Sequence, residues 1–196
     1  MNLDELAIAA RSNRDDLGQL YELIYPRVYN YVRYRCEDQG TTEDLVSQVF
    51  ERMVGALRCY DPARGPFEAW IFAIARNTVT SHHRTRRARA FLPWEWFHAA
   101  AAPGPSPEET ALLRESETRL LAAMQRLKPQ QRDLLGLKYG SGLGNTQIAS
   151  LTGLSEGNVA VILHRAVETL RQIVKPEPDG KEQSMCQAEA EHAKEG

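Results

Sequence analysis

Residues 143–174, LGNTQIASLTGLSEGNVAVILHRAVETLRQIV, decide how this chain is read. Asn145 is placed to accept the first free amides of a helix, and Ile148, Ala149 and Leu151 supply its buried side. Gly153 suits the positive φ that ends such a helix. Ser155 then caps a second one, whose Val159, Leu163, Ala166 and Leu170 recur at spacings of three and four and share a face. With a short helix and a glycine-rich turn before it, starting near Leu120, this is the layout of a helix-turn-helix. The core face leaves Glu156, Gly157, Asn158, Val161, His164 and Arg165 pointing outward. A helix entering a major groove offers its first residues to base edges and its later cations to phosphates. Asn158 suits the first task, and His164, Arg165 and Arg171 the second. An ordinary helical hairpin with a solvated polar side shows the same pattern.

Outward from that stretch, composition sets the class. The 196 residues, 42% hydrophobic and 26% charged, suffice for one sizeable core or two small ones. No apolar run reaches the length of a membrane span. The opening MNLDELAIAARSNRDD is acidic where a secretion signal is basic and then greasy, so the expected location is the cytoplasm. Cys36, Cys59 and Cys186 lack paired spacing, which argues against a disulfide framework and a zinc knuckle. His82 and His83 are adjacent, about 100° apart on a helix, and badly placed to share a metal. Cys186 and His192 lie in a polar segment. There is no glycine loop after a strand, no nucleophile elbow and no H-E-x-x-H. No catalytic residue, cofactor or metal set is expected, and the chain does not read as an enzyme.

The net charge of −2 conceals a separation along the chain. Between Trp70 and Trp94 there is no acidic residue, while Arg76, Arg84, Arg86, Arg87, Arg89, His82 and His83 all fall there. The last residues, PEPDGKEQSMCQAEAEHAKEG, are acidic and polar and predict a disordered tail. A cationic stretch inside a neutral chain favours a polyanionic partner.

The remaining pattern is helical throughout. A short helix is expected over 3–10, and a longer one over 16–34 that buries Leu17, Leu20, Ile24, Val28 and Val32, with Pro26 bending or interrupting it. Thr41 is expected to cap the next, with Asp44 as its reciprocal partner and Leu45, Val49, Phe50, Met53 and Leu57 as its stripe. The loop 60–66, YDPARGP, stops that helix. The following one buries Phe67, Trp70, Ile71, Ile74 and Thr78 or Val79. On its other side Arg76, Thr80, Arg84 and Arg87 form a basic ridge. Residues 91–107, FLPWEWFHAAAAPGPSP, read as a linker, although Trp94, Trp96 and Phe97 are apolar enough to pack on a domain or a partner. Ser106, Pro107 and Glu109 then read as a helix start. The expected organisation is all-α: a helical domain over 1–90, a linker over 91–107, a helix-turn-helix domain over 108–175 and an acidic tail over 176–196.

Two sets of residues carry a family resemblance. In the first half they are EDLVSQVF from Glu43 and FEAWIFAIARN from Phe67. In the second they are LKPQQR from Leu127, Ile148-Ala149, SEGNV from Ser155 and His164-Arg165-Ala166. Taken together, in this order and about a linker apart, they resemble the extracytoplasmic-function sigma factors, small two-domain promoter-recognition subunits of bacterial RNA polymerase of the sigma-70 family.

The resemblance implies that the first domain captures an unpaired base of the melted minus-ten element, in a pocket made by the loop 60–65 and the helix carrying Asn77. Tyr60, Asp61, Arg64, Asn77, Arg76, Thr80, Arg84, Arg86 and Arg87 are its expected contacts, with Tyr60 as a stacking surface and the arginines on the strand backbone. Asp44, Gln48 and Glu51 are the expected outward stripe for the clamp helices of the polymerase's largest subunit. Ser155, Glu156, Asn158, Val161, His164 and Arg165 are the expected minus-thirty-five readers. The implied partners are core RNA polymerase, through those clamp helices and its flap, promoter DNA and an anti-sigma factor. The linker would run through the RNA exit path. One departure is that many relatives place a lysine and an arginine where this chain has Ala160, Val161 and Ile162. That removes phosphate contacts and sets Val161 against a thymine methyl. The competing readings are a stand-alone dimeric helix-turn-helix regulator, and a helical adaptor whose ridge serves RNA or an acidic protein.

Overall fold

The structure, a computed structural model, describes residues 2–89 and 111–174. The expected linker with Trp94, Trp96 and Phe97, the helix start at Ser106, the acidic tail and the side chain of Arg87 lie outside the described residues. Among the described residues there are eight α-helices and no strand.

The N-terminal domain is built from α1 (Leu3–Ala9), α2 (Arg14–Arg35), α3 (Gln39–Ala56) and α4 (Phe67–Arg89). The starts of the first three follow from short polar side chains that accept free amides. Asn2 and Glu5 close a reciprocal capping box on α1, with bonds of 2.8 and 3.0 Å. Asn13 caps α2 through the Asp15 amide, so that helix starts earlier than its apolar spacing alone indicates. It also runs on through Pro26 rather than being interrupted there. Proline in a helix interior costs about 3 kcal/mol. Pro26 faces solvent, and the burial of Leu20, Ile24, Val28 and Val32 on the opposite face offsets that cost. The expected Thr41 cap is corrected: α3 is capped three residues earlier, where Asp38 accepts the Thr41 amide at 2.7 Å. That bond holds the Asp38 carboxyl below the usual carboxylate range.

Between α3 and α4 the loop coils into two 3₁₀ turns, Leu57–Cys59 and Pro62–Arg64. Gly65 leaves the second turn at φ 144°, which a side chain tolerates badly. Along α4 the residues Phe67, Ile71, Phe72, Ala75, Thr78 and Val79 are buried, while Trp70 and Ile74 are only partly covered.

The C-terminal domain holds α5 (Ala111–Gln125), α6 (Pro129–Leu135), α7 (Asn145–Thr152) and α8 (Glu156–Val174), with a π-helical segment, Gly136–Gly140, continuing α6. The helix-turn-helix is α7, Gly153 at φ 73° and α8, whose first turn bonds to the Ser155 hydroxyl at 3.3 Å. The expected Asn145 cap is corrected: Gly144 precedes the first turn and its amide bonds Gln147, leaving the buried Asn145 Oδ1 without a partner.

The two domains share one apolar core. The π segment lies against the middle of α2. A Cβ at Gly140 would meet the Tyr31 backbone nitrogen at 2.9 Å, so backbone touches backbone there, and one at Gly136 would meet the Tyr31 ring at 3.1 Å, so that ring packs directly on the glycine. Around this seam Arg27 donates to the Ser141 carbonyl at 2.7 Å and to Glu68 at 2.5 Å. Gln125 donates to the Cys36 carbonyl at 2.7 Å. At the centre sits Asp133, 6% exposed, which accepts from the Tyr31 hydroxyl at 2.8 Å, from Arg76 Nε at 2.8 Å and from Arg35.

Candidate nucleic-acid interface

The loop 60–65 is held from below by α1. Asp4 Oδ1 accepts the Tyr60 hydroxyl at 2.7 Å and the Phe67 amide at 2.6 Å, and Arg11 donates to the Tyr60 carbonyl. Burial and the Asp4 carboxylate push the Tyr60 pKa up, which keeps its hydroxyl a neutral donor. Its ring packs on Phe67 edge to face at 5.4 Å and on Trp70 at 5.5 Å. The expectation that Tyr60 offers a stacking surface is therefore corrected. At 3% exposure it is a post inside the domain. Asp4 and Arg11 were missed because both act on residues some fifty or more positions away, where no local spacing signals the contact.

Asp61 caps the second loop turn through the Ala63 amide at 3.0 Å, and Arg64 is exposed at its end. These residues, Gly65 and the half-buried Trp70 line a cleft of about 320 Å³, whose far wall is Ser150 and Leu151 of α7. Tyr60 and Trp70 both line this cleft, but Trp70 is the more exposed of the two and offers the larger aromatic surface. Asn77 is exposed two turns further along α4, on the same side as Trp70, and does not line the cleft.

The basic ridge of α4 is divided. Thr80 and Arg84 are exposed, as expected, and Arg86 pairs with Glu37 at 2.9 Å in open solvent. Arg76 departs from the expectation. Its side chain is one-third exposed, and its guanidinium is committed to Asp133 across the domain seam. Arg84, Arg86 and His83 line one side of a 570 Å³ cleft, and Arg132 of α6 lines the other.

On α8 the inward face is Val159, Leu163 and Ala166, all buried. Ser155, Glu156, Asn158, Val161, His164 and Arg165 are all exposed, Val161 by 48%. Arg171 is exposed too, but pairs with Glu168. His164 and Arg165 share a surface cleft of about 510 Å³ with Arg126 and Lys128, so the cationic area extends past α8 onto the turn before α6. Those two cations were missed, because their distance from α8 in sequence hides their place beside it. On α3, Asp44, Gln48 and Glu51 are exposed together. No helix among the described residues is long and apolar enough to cross a membrane.

A helix-turn-helix domain joined to a second helical domain with a cationic helix defines a class of DNA-directed protein. Residues 20–89 match the model of sigma-70 region 2, and residues 117–170 that of sigma-70 region 4. The chain is 33% identical over 174 residues to the ECF RNA polymerase sigma factor BldN of Streptomyces coelicolor, covering 89% of this chain but only 65% of that protein. It is 31% identical over 175 residues to the ECF sigma factor SigD of Mycobacterium tuberculosis, covering 85% of this chain and 80% of SigD. Among solved structures it resembles CnrH in complex with the cytosolic domain of CnrY (TM-score 0.66, 24% identity, 88% of this chain and 97% of that one). It also resembles the sigma factor RpoE of Bartonella quintana in complex with the anti-sigma factor NepR (TM-score 0.67, 22% identity, 83% and 98%). This chain belongs to the extracytoplasmic-function sigma factors of the sigma-70 family.

Proposed function

We propose that the chain is a promoter-specificity subunit that binds core RNA polymerase, reads the minus-thirty-five and minus-ten elements and holds the melted non-template strand. The carrying observation is the sorting of α8, where every candidate reader is exposed while Val159, Leu163 and Ala166 are buried. Asn158 and Val161 address base edges, and His164 and Arg165, extended by Arg126 and Lys128, address phosphates.

In the first domain, extruding a base costs a few kcal/mol of stacking and pairing. Trp70 supplies an aromatic wall, Asp61 and Arg64 supply polar edges, and the Asn77 amide both donates and accepts. Arg84 and Arg86 follow the strand backbone. Asp44, Gln48 and Glu51 dock on the clamp helices of the polymerase. CnrH and the Bartonella RpoE are each held by a second protein in their solved structures, and an anti-sigma factor is proposed here by extension. Nucleotide addition stays with the polymerase, whose partnership places this subunit in the cytoplasm.

Run-off transcription with purified core enzyme tests the reading. Initiation from a defined start is expected only when the chain is added. An operator footprint by the chain alone would instead support a stand-alone regulator.

A further inference from the structure

We propose that the cleft between the C-terminal part of α4 and the start of α6 is a binding site for a small polyphosphate, a chain of phosphoryl groups that is free or carried by a nucleoside. Neither DNA nor polymerase is needed to fill it. The cleft measures about 570 Å³, with His83, Arg84 and Arg86 on one wall, Pro129 and Arg132 on the other, and Arg35 and Glu37 also lining it. That volume falls among small-molecule sites, which run from about 300 to about 1,000 Å³.

The charge around the cleft is out of balance. Asp133 is the one carboxylate shared by Arg35 and Arg76, and Glu37 pairs with Arg86. Arg84 is exposed and pairs with no carboxylate among the described residues. Arg132 is half-buried, and every acceptor it reaches is neutral: the Gln125 side-chain oxygen and the carbonyls of Gln125 and Leu127. Its Nε is buried with no acceptor at all. Folded proteins seldom leave such a donor unmade without a use for it. His83 feels the same excess of positive charge. Burial first, and then Arg35, His82 and Arg132, hold its pKa down, although the Arg35 carbonyl opposes them. The Arg132 guanidinium is itself lowered, by burial first and then by Arg35, against the pull of Glu37.

Guanidinium groups take phosphoryl oxygens in forked pairs, so two of them facing one cleft select an anion rich in such oxygens. A nucleic-acid strand laid along α4 spreads its charge along its length. It would meet Arg84 and leave Arg132, on the opposite wall, unanswered. A polyphosphate concentrates several charges in one volume and answers both walls together. Thr80 adds a hydroxyl donor on the α4 wall, and Pro129 gives the α6 wall an apolar surface on which a nucleoside can rest.

The test uses the full chain, without polymerase and without divalent cations, titrated by calorimetry with inorganic triphosphate and with ATP. Saturable binding at a single site per chain is expected. Arg84→Ala and Arg132→Gln should each weaken it about tenfold, as expected for one charge-assisted hydrogen bond. Should Arg132→Gln lose helicity, because that side chain also ties α6 to Gln125, Arg84→Ala decides. Arg165→Ala, which removes an exposed cation from α8, should leave the affinity unchanged. An equal loss in Arg165→Ala would mark diffuse attraction to surface charge and overturn the site, as would failure of both polyphosphates to bind. A single-stranded oligonucleotide that binds where the polyphosphates do not, and weakens with Arg132→Gln, would give the cleft to a strand and overturn it too. Equal affinities for triphosphate and ATP support recognition of the phosphoryl chain alone, and tighter ATP binding supports a nucleoside-borne ligand. Transcription is not among these readouts, so failure of the sigma reading and failure of this site are told apart.

Discussion

The two candidate DNA surfaces of this chain differ in what they touch. The outward face of α8 meets only solvent, and all six of its candidate readers are exposed. The corresponding surface of the N-terminal domain is partly consumed by the protein itself: Tyr60 is locked under Asp4, Arg76 is bound to Asp133, and the loop cleft is walled by α7. A residue on the first surface acts on a ligand with little consequence for the fold. On the second surface, structure and recognition draw on the same atoms.

The sharpest way to break this contrast is to remove a charge from each side. Asp133→Ala leaves Arg35, whose side chain is 9% exposed, without its buried counter-charge, and such a loss costs about 3–5 kcal/mol. Arg165→Ala removes an exposed cation, for which about 0.5 kcal/mol or less is expected. Urea denaturation of both variants measures the difference, and equal effects would erase the distinction.

Tyr60 and Trp70 offer a finer version within one loop. Tyr60→Phe strips the hydroxyl from Asp4 and should cost about 1–3 kcal/mol of stability, with oligonucleotide binding by the folded variant retained. Trp70→Ala should instead lose about 1–3 kcal/mol of single-strand binding, the usual worth of one stacked base. The reverse outcome, with Tyr60→Phe altering binding and leaving the melt unchanged, would make the Tyr60 hydroxyl a strand contact rather than a structural one.

The same contrast explains what was legible beforehand. The helix-turn-helix follows from short-range rules: the Ser155 cap, the left-handed Gly153 and the three-and-four spacing of Val159, Leu163 and Ala166 all act within a turn or two. Capping residues were harder to choose among neighbours. Asp38 competes with Thr41, and Gly144 with Asn145, and the choice turns on backbone angles that composition does not set. The seam was not legible at all. Arg76 lies four residues from Thr80 and eight from Arg84, so periodicity places it on an open ridge. Only the docking of α6 and the π segment brings Asp133 to it from 57 positions away. Tyr31, Gly136 and Gly140 were likewise silent, because a glycine's use as a contact surface depends on what arrives.

Salt dependence sharpens the description of α8. If Arg165 neutralises one phosphate of duplex DNA, Arg165→Ala should lower the slope of log affinity against log salt by about 0.9. Arg126→Ala should do the same if the cationic area extends as far as the 510 Å³ cleft places it. Filter binding of a minus-thirty-five duplex by holoenzyme at several ionic strengths reads both slopes. An unchanged slope for Arg126→Ala would confine the contact to α8.

The smallest effect belongs to His83, which is half-buried at the edge of the seam. Its ring nitrogen bonds the Arg35 carbonyl at 3.1 Å. Burial first, then the charges of Arg35 on α2, His82 on its own helix and Arg132 on α6, hold its pKa below the ordinary 6.5. The Arg35 carbonyl opposes them, and Glu37 and Arg86 face the same cleft. The folded chain therefore prefers neutral His83, whereas an unfolded chain protonates it near 6.5. This contribution to stability is fully present above that pH and is lost as pH falls through the depressed folded value. Melting between pH 7.5 and 5.5 should show a decline that His83→Gln makes shallower, with His82→Gln as the control on the same helix. If His83→Gln melts with the same pH slope as wild type, the sensitivity lies elsewhere and this edge of the seam is as open as α8.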